Sequence, residues 1–155
     1  MSITEYSKLL DPACIELTLK SKKKKEVVEE LIGLLVRSGK IQNGKDIAEE
    51  VLEREKITST GIGKGAAIPH KLIRGISQTL IAFGRKKEGI NFDAIDKAPV
   101  SLFFLLLGPE GRTGEHLKLL SKLARYLHDD GFIRALKEAK NPEDIIEVFR
   151  REEEL

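Results

Sequence analysis

Thr60-Gly61-Ile62-Gly63-Lys64-Gly65-Ala66-Ala67-Ile68-Pro69-His70 is the stretch from which the rest of this chain is read. Three alternating glycines make a loop that bends sharply and turns backbone N–H groups toward an anion. Ala66 to Ile68 reads as a short buried strand. Pro69 ends it, because its φ is fixed and it has no N–H for a ladder. The imidazole of His70 is then left at the rim of a sheet, beside a glycine loop. That position suits a nucleophile that takes up a phosphoryl group.

Outward from this stretch, the hydrophobic period alternates between strand and helix. Ile15 to Leu19 alternates like a short strand. Ser21 is a plausible N-cap for a helix to about residue 37, with Val27, Val28, Leu31, Ile32 and Leu35 inward, and Gly39 stops it. Asn43 opens a second helix through Ile47, Ala48, Val51 and Leu52, ending near Arg54-Glu55. Beyond His70, Thr79 to Phe83 reads as a strand and Gly89 to Asp96 as a short strand and turn. Val100 to Leu107, set between Pro99 and Gly108-Pro109, reads as a central strand covered on both faces. From Thr113, Leu117, Leu120, Leu123, Ala124 and Leu127 mark a helix, then Phe132, Ile133 and Leu136 a short one. Asn141-Pro142 caps and opens a last helix, and the charged tail from Arg150 is expected to fray. The element order implies an α/β protein, residues 1–155 forming one domain. Its expected architecture is a three-layer α/β/α sandwich with one mixed sheet and helices on both faces.

Composition narrows the function. The chain has 155 residues, 41% apolar and 34% charged, with a net charge of +2, too small to argue for nucleic acid. The one dense basic run, Lys22 to Lys25, reads as a solvated helix end. Cys14 is the only cysteine, which excludes an intramolecular disulfide and a thiolate zinc site. The longest strongly apolar run, Leu102 to Leu107, is too short to cross a bilayer. The N-terminal MSITEYSKLL lacks the charged and apolar regions of a secretory leader, so a cytoplasmic location is expected.

Of the three histidines, His128 sits at a helix end where a cation is favoured, and His116 lies near the apolar stripe of its helix. They are twelve residues apart, not the four of a helical zinc motif, and no metal site is expected. Gly61, Gly63 and Ala66 satisfy a degenerate dinucleotide fingerprint, but here a helix precedes the loop and Pro69 forbids a helix start. Lys64 lacks the Walker spacing and a following Ser or Thr.

The quoted stretch resembles the active-site signature of the enzyme IIA domains of the fructose–mannitol class, from the bacterial phosphoenolpyruvate-dependent phosphotransferase system. The likeness extends to Arg54-Glu55, Ile90 to Asp96, the strand from Pro99 to Leu107, and His116-Leu117 opening a helix. Phe92-Asp93-Ala94-Ile95-Asp96 and the chain's length look most like the nitrogen-regulatory branch. The resemblance implies that His70 is phosphorylated by a phosphohistidine on HPr or its nitrogen-branch counterpart. Arg54 and His116 match the family's active-site arginine and second histidine. A planar guanidinium at Arg54 suits phosphate oxygens, and a neutral imidazole needs an acceptor on its other nitrogen to fix the tautomer. Ser59 and Thr60 hydroxyls and the Gly61 and Gly63 N–H groups are candidate further phosphate donors. Neither cofactor nor metal is implied. The chain departs from the family at Lys71, where a small residue usually follows the histidine. Two alternatives to a regulatory IIA accompany this reading. One is a sugar-transport IIA that passes phosphate to a IIB domain. The other is an interaction module of the same fold without phosphotransfer.

Overall fold

In the computed structural model, which describes residues 4–57 and 59–155, the apolar run Val100–Leu107 lies at the centre of one sheet. Met1 to Ile3, part of the segment read above for a leader, lie outside the described residues. The central strand, β6, spans Val100–Pro109. Its side chains alternate between two cores: Leu102, Phe104 and Leu106 enter one, Phe103, Leu105 and Leu107 the other. A strand buried on both faces has no polar side, which is why its sequence reads as an unbroken apolar run.

β5 (Leu80–Ile90) pairs antiparallel with β6 on one side and parallel with β1 (Ile15–Glu16) beyond. On the other side β6 is matched in turn by two short parallel strands, β3 (Ala66–Ala67) and β4 (His70–Ile73). β2 (Gly61–Gly63) covers the outer edge of β3. Among the described residues no strand covers β4, so the sheet edge is open where His70 begins it. The sheet is mixed, as expected.

Helices cover both faces. α2 (Lys24–Arg37) and α3 (Gly44–Ile57) pack on one; α1 (Tyr6–Leu9), α4 (Thr113–Tyr126), α5 (Asp130–Glu138) and α6 (Pro142–Glu153) pack on the other. Gly39, at φ +80°, takes the left-handed conformation that ends α2. Asn141 caps α6 by accepting the Asp144 N–H at 2.8 Å, as its sequence suggested.

Several local readings are corrected. Ser21 does not cap α2: the helix starts at Lys24, and the Ser21 hydroxyl bonds to Glu30 instead. Within α4, Leu117 is 58% exposed while Leu119 is fully buried, so the inward stripe is His116, Leu119, Leu123 and Tyr126. A leucine-rich helix offers two overlapping stripes, and packing selects between them. The C-terminal tail stays helical to Glu153, held by Arg150 between Glu147 and Glu154 and by Glu153 accepting from Ser7.

Candidate functional site

His70 is the first residue of β4, directly opposite Leu106 of β6, and shares that residue's face of the sheet. Its Nδ1 lies 2.7 Å from the Ile68 carbonyl, which can only accept, so Nδ1 carries the proton and Nε2 keeps its lone pair. Pro69, lying between the two residues, holds this short loop stiff.

His116, in the first turn of α4, comes down on the same face. The two imidazole centroids are 5.5 Å apart, with the ring planes at 51°. His116 is 5% exposed, and its Nδ1 is buried with no hydrogen-bond partner. Gly108 makes this approach possible: a Cβ there would stand 2.6 Å from His116 Nδ1. Burial pulls the His116 pKa down to about 4, with nearby His70 adding to the shift. Burial also lowers that of His70. The bond to Ile68 opposes this lowering, the Arg54 charge adds to it, and Glu55 opposes it. Both rings are therefore neutral near pH 7.

Arg54 projects from the last turn of α3, on the other side of the sheet plane. Strand alternation places Lys71 on that side too, opposite Leu107. Arg54 and Lys71 line one hollow of about 690 Å³ with Ile57 and the acidic face of α3, including Glu50 and Glu53. Among the described residues neither cation makes an ion pair or side-chain hydrogen bond. Arg54 is thus not a surface partner of its neighbouring glutamates; it lies beside the open sheet edge with its charge felt at His70.

The glycine stretch forms a hairpin rather than an anion cradle. Lys64 and Gly65, at φ +57° and +75°, are the two turn residues between β2 and β3, with the positive φ at both positions that a type I′ hairpin turn needs. Gly61 packs where a Cβ would stand 2.9 Å from Ala94, and its N–H donates to Ser59 Oγ. Gly63 pairs with Ala66, opposite Leu102. His70 lies four residues further along β6, roughly 13 Å at strand rise. The Ser59 hydroxyl donates to the Phe92 carbonyl at 2.6 Å, and the Thr60 hydroxyl donates to Glu55. Of the predicted site residues, His70 and His116 meet on one face of the sheet; Arg54 lies across the sheet plane, in a hollow that His70 does not line, and the four predicted phosphate donors are committed to the fold.

Two residues near the site were not singled out from sequence. Glu55 is buried, accepts the Thr60 N–H at 2.8 Å, and pairs with Lys24 Nζ at 2.9 Å. Lys24 also sits over the Phe92 ring, 4.7 Å from its centroid, so this member of the basic run is not a solvated helix end. Among the described residues no three His, Cys, Asp or Glu side chains gather at metal-binding geometry, and no helix is long and apolar enough to span a membrane.

The chain resembles known proteins along nearly its whole length. The family model described as phosphoenolpyruvate-dependent sugar phosphotransferase system, EIIA 2, matches residues 8–152. The chain is 36% identical over 151 residues to the fructose-specific EIIABC component of Bacillus subtilis, covering 97% of this chain but only 23% of that larger protein. It is 35% identical over 150 residues to a nitrogen regulatory protein of Bradyrhizobium diazoefficiens, covering 96% of this chain and 95% of the relative. The crystal structure of nitrogen regulatory protein IIA-Ntr from Neisseria meningitidis superposes with a TM-score of 0.86 at 38% identity, over 92% of this chain and 97% of that one.

Proposed function

The chain belongs to the EIIA 2 family of the phosphoenolpyruvate-dependent sugar phosphotransferase system, and on that premise we propose that it carries a phosphoryl group on Nε2 of His70. The observation that carries this reading is the His70 ring itself, with Nδ1 bound to Ile68 at 2.7 Å and a second neutral imidazole 5.5 Å away. The donor is a phosphohistidine on an HPr-like carrier protein. The Nε2 lone pair attacks phosphorus as the carrier's P–N bond breaks, and the carrier's imidazole leaves with its electron pair. The proton on Nδ1 stays throughout, so the product ring is an N-phosphorylated imidazolium, its positive charge offset by the phosphoryl oxygens and its Nδ1–H held by the Ile68 carbonyl.

Such a transfer asks the protein mainly to position groups and neutralise charge. Arg54 supplies the permanent cation, and its fork geometry matches two phosphate oxygens. His116 has its unpartnered Nδ1 packed against Gly108. The tautomer that avoids a buried orphan N–H carries its proton on Nε2, where it donates to the incoming phosphate. The N-terminal turn of α4 adds the favourable end of a helix dipole.

We assign the downstream role to the nitrogen-regulatory branch: phosphorylation at the open sheet edge changes local charge and so the choice of protein partner. The structural likeness to IIA-Ntr and the near full-length match to a nitrogen regulatory protein support this. The fructose-specific relative favours a second reading, a sugar-transport IIA that hands its phosphate to a IIB cysteine. Incubation with labelled phosphoenolpyruvate, enzyme I and an HPr-type carrier should give an acid-labile, base-stable phosphoprotein. His70→Ala should abolish the label; persistent labelling rules the site out. Rapid loss of label to an added fructose-type IIB selects transport, and retention selects regulation.

A further inference from the structure

Glu55 is a carboxylate for which the phosphoryl chemistry has no use, yet it is 5% exposed in the last turn of α3. Burying a carboxylate is costly unless it is paired and hydrogen-bonded, and an apolar residue commonly serves stability as well. Here the carboxylate is fully engaged. One oxygen accepts the Thr60 N–H at 2.8 Å, the other accepts the Thr60 hydroxyl, and Lys24 Nζ lies 2.9 Å away. Lys24 is steadied in turn by the Phe92 carbonyl at 3.3 Å.

The connection does not stop at Thr60. The Thr60 carbonyl accepts the Ile68 N–H at 3.0 Å. The Ile68 carbonyl accepts from His70 Nδ1 at 2.7 Å. Three successive hydrogen bonds therefore run from the Glu55 carboxylate to the His70 ring, crossing from α3 to the start of the hairpin and on to β4. Each link places the residue that makes the next. Arg54 leaves the same turn of α3 as Glu55, so one turn of helix sets both the cation and the imidazole.

We infer that Glu55 is a positioning residue for His70: with Lys24 as counter-ion, it anchors the Thr60–Ile68 chain that holds the imidazole in its Nδ1–H tautomer with Nε2 free. This rests on reading His70 as the phosphoryl acceptor. An apolar residue at position 55 could fill the volume but could not hold Thr60 by both its donors.

The test reads the tautomer directly. Long-range proton–nitrogen correlation on unphosphorylated protein with ¹⁵N-labelled histidine should show His70 as Nδ1–H at neutral pH. Glu55→Gln keeps the size but leaves one acceptor oxygen in place of two. It should give a mixed tautomer, and a transfer rate at saturating carrier lower by about tenfold with KM little changed. Glu55→Asp should recover part of both. Thr60→Val, a milder change that keeps the backbone links, should shift the tautomer less and slow transfer about threefold. An Nε2–H tautomer in the wild type overturns the inference, as does a folded Glu55→Gln with unchanged tautomer and rate. If that variant does not fold, Thr60→Val identical to wild type in both readouts overturns it. The tautomer is measured without any phosphoryl donor, so this failure is distinct from labelling that survives His70→Ala, which would reject the acceptor assignment itself.

Discussion

His70 and His116 lie close enough that protonating either opposes protonating the other, and burial keeps both neutral. Arg54 adds to the lowering at His70, so its loss has two separable consequences. In Arg54→Ala the His70 imidazole should titrate at higher pH, read by NMR. Phosphoryl transfer should slow by roughly a hundredfold, the usual scale for removing one preorganised charge donor. Arg54→Lys should restore the charge but not the paired hydrogen bonds, and so only part of the rate. Lys71 is a different kind of cation. It shares Arg54's hollow on the far side of the sheet plane, but of the two only Arg54's charge is felt at His70. Its expected role is in meeting the carrier: Lys71→Ala should change KM less than tenfold, flatten its dependence on salt, and leave kcat unchanged. A fall in kcat would instead make Lys71 part of the phosphate site.

At the scale of elements, the active face depends on two strands and a helix meeting without spare room. Gly108 of β6 lies under His116 of α4 and beside Leu72 of β4; a Cβ would stand 2.6 Å from the first and 2.9 Å from the second. Gly108→Ala should cost about 1–3 kcal/mol by overpacking. Its Tm should fall by roughly 2–4 °C per kcal/mol, and the tilt of the His116 ring should change. Thermal melts and the His116 chemical shifts check both. This contact also shows where sequence reading reaches its limit. The central strand, the helices and the meeting of His70 with His116 were legible because a two-sided apolar run, helical spacing and a family-like motif are local signals. Gly108 read only as a strand terminator, because its reason is a side chain from the next helix. Glu55 and Lys24 were hidden likewise, one in a helix end and one in a lysine run, since an ion pair between them is long-range. The glycines misled in the opposite direction. A positive-φ turn and an anion loop ask for the same residues, and only the strand pairing of Gly61 and Gly63 separates them.

The molecule as a whole carries a pH dependence set by its buried imidazoles. In the unfolded chain a histidine titrates near 6.5, whereas folding depresses His70 and takes His116 to about 4. The folded state therefore binds fewer protons than the unfolded state in this window, and stability rises with pH. Both contributions are present in full above the unfolded value. They are lost as pH falls below about 6.5, and the loss from His116 continues until its folded value is reached. For His116 alone the linkage amounts to roughly 2 kcal/mol at pH 5. Carboxylates that titrate lower, such as Asp11, are common to any histidine variant and cancel in a comparison. Denaturant melts at pH 7 and pH 5 should show wild type losing about 2 kcal/mol more than His116→Gln. Equal losses would mean that the ring titrates normally and is not enclosed as described. The same enclosure has a functional side. A phosphoryl group on His70 brings negative charge to a ring that burial has kept neutral, so it favours a proton on His116 and moves that titration upward. The stability the fold loses in acid is thus tied to the arrangement that keeps both rings neutral before transfer. In the phosphoprotein the His116 shifts should report that upward movement, and an unmoved titration would separate the second ring from the phosphate.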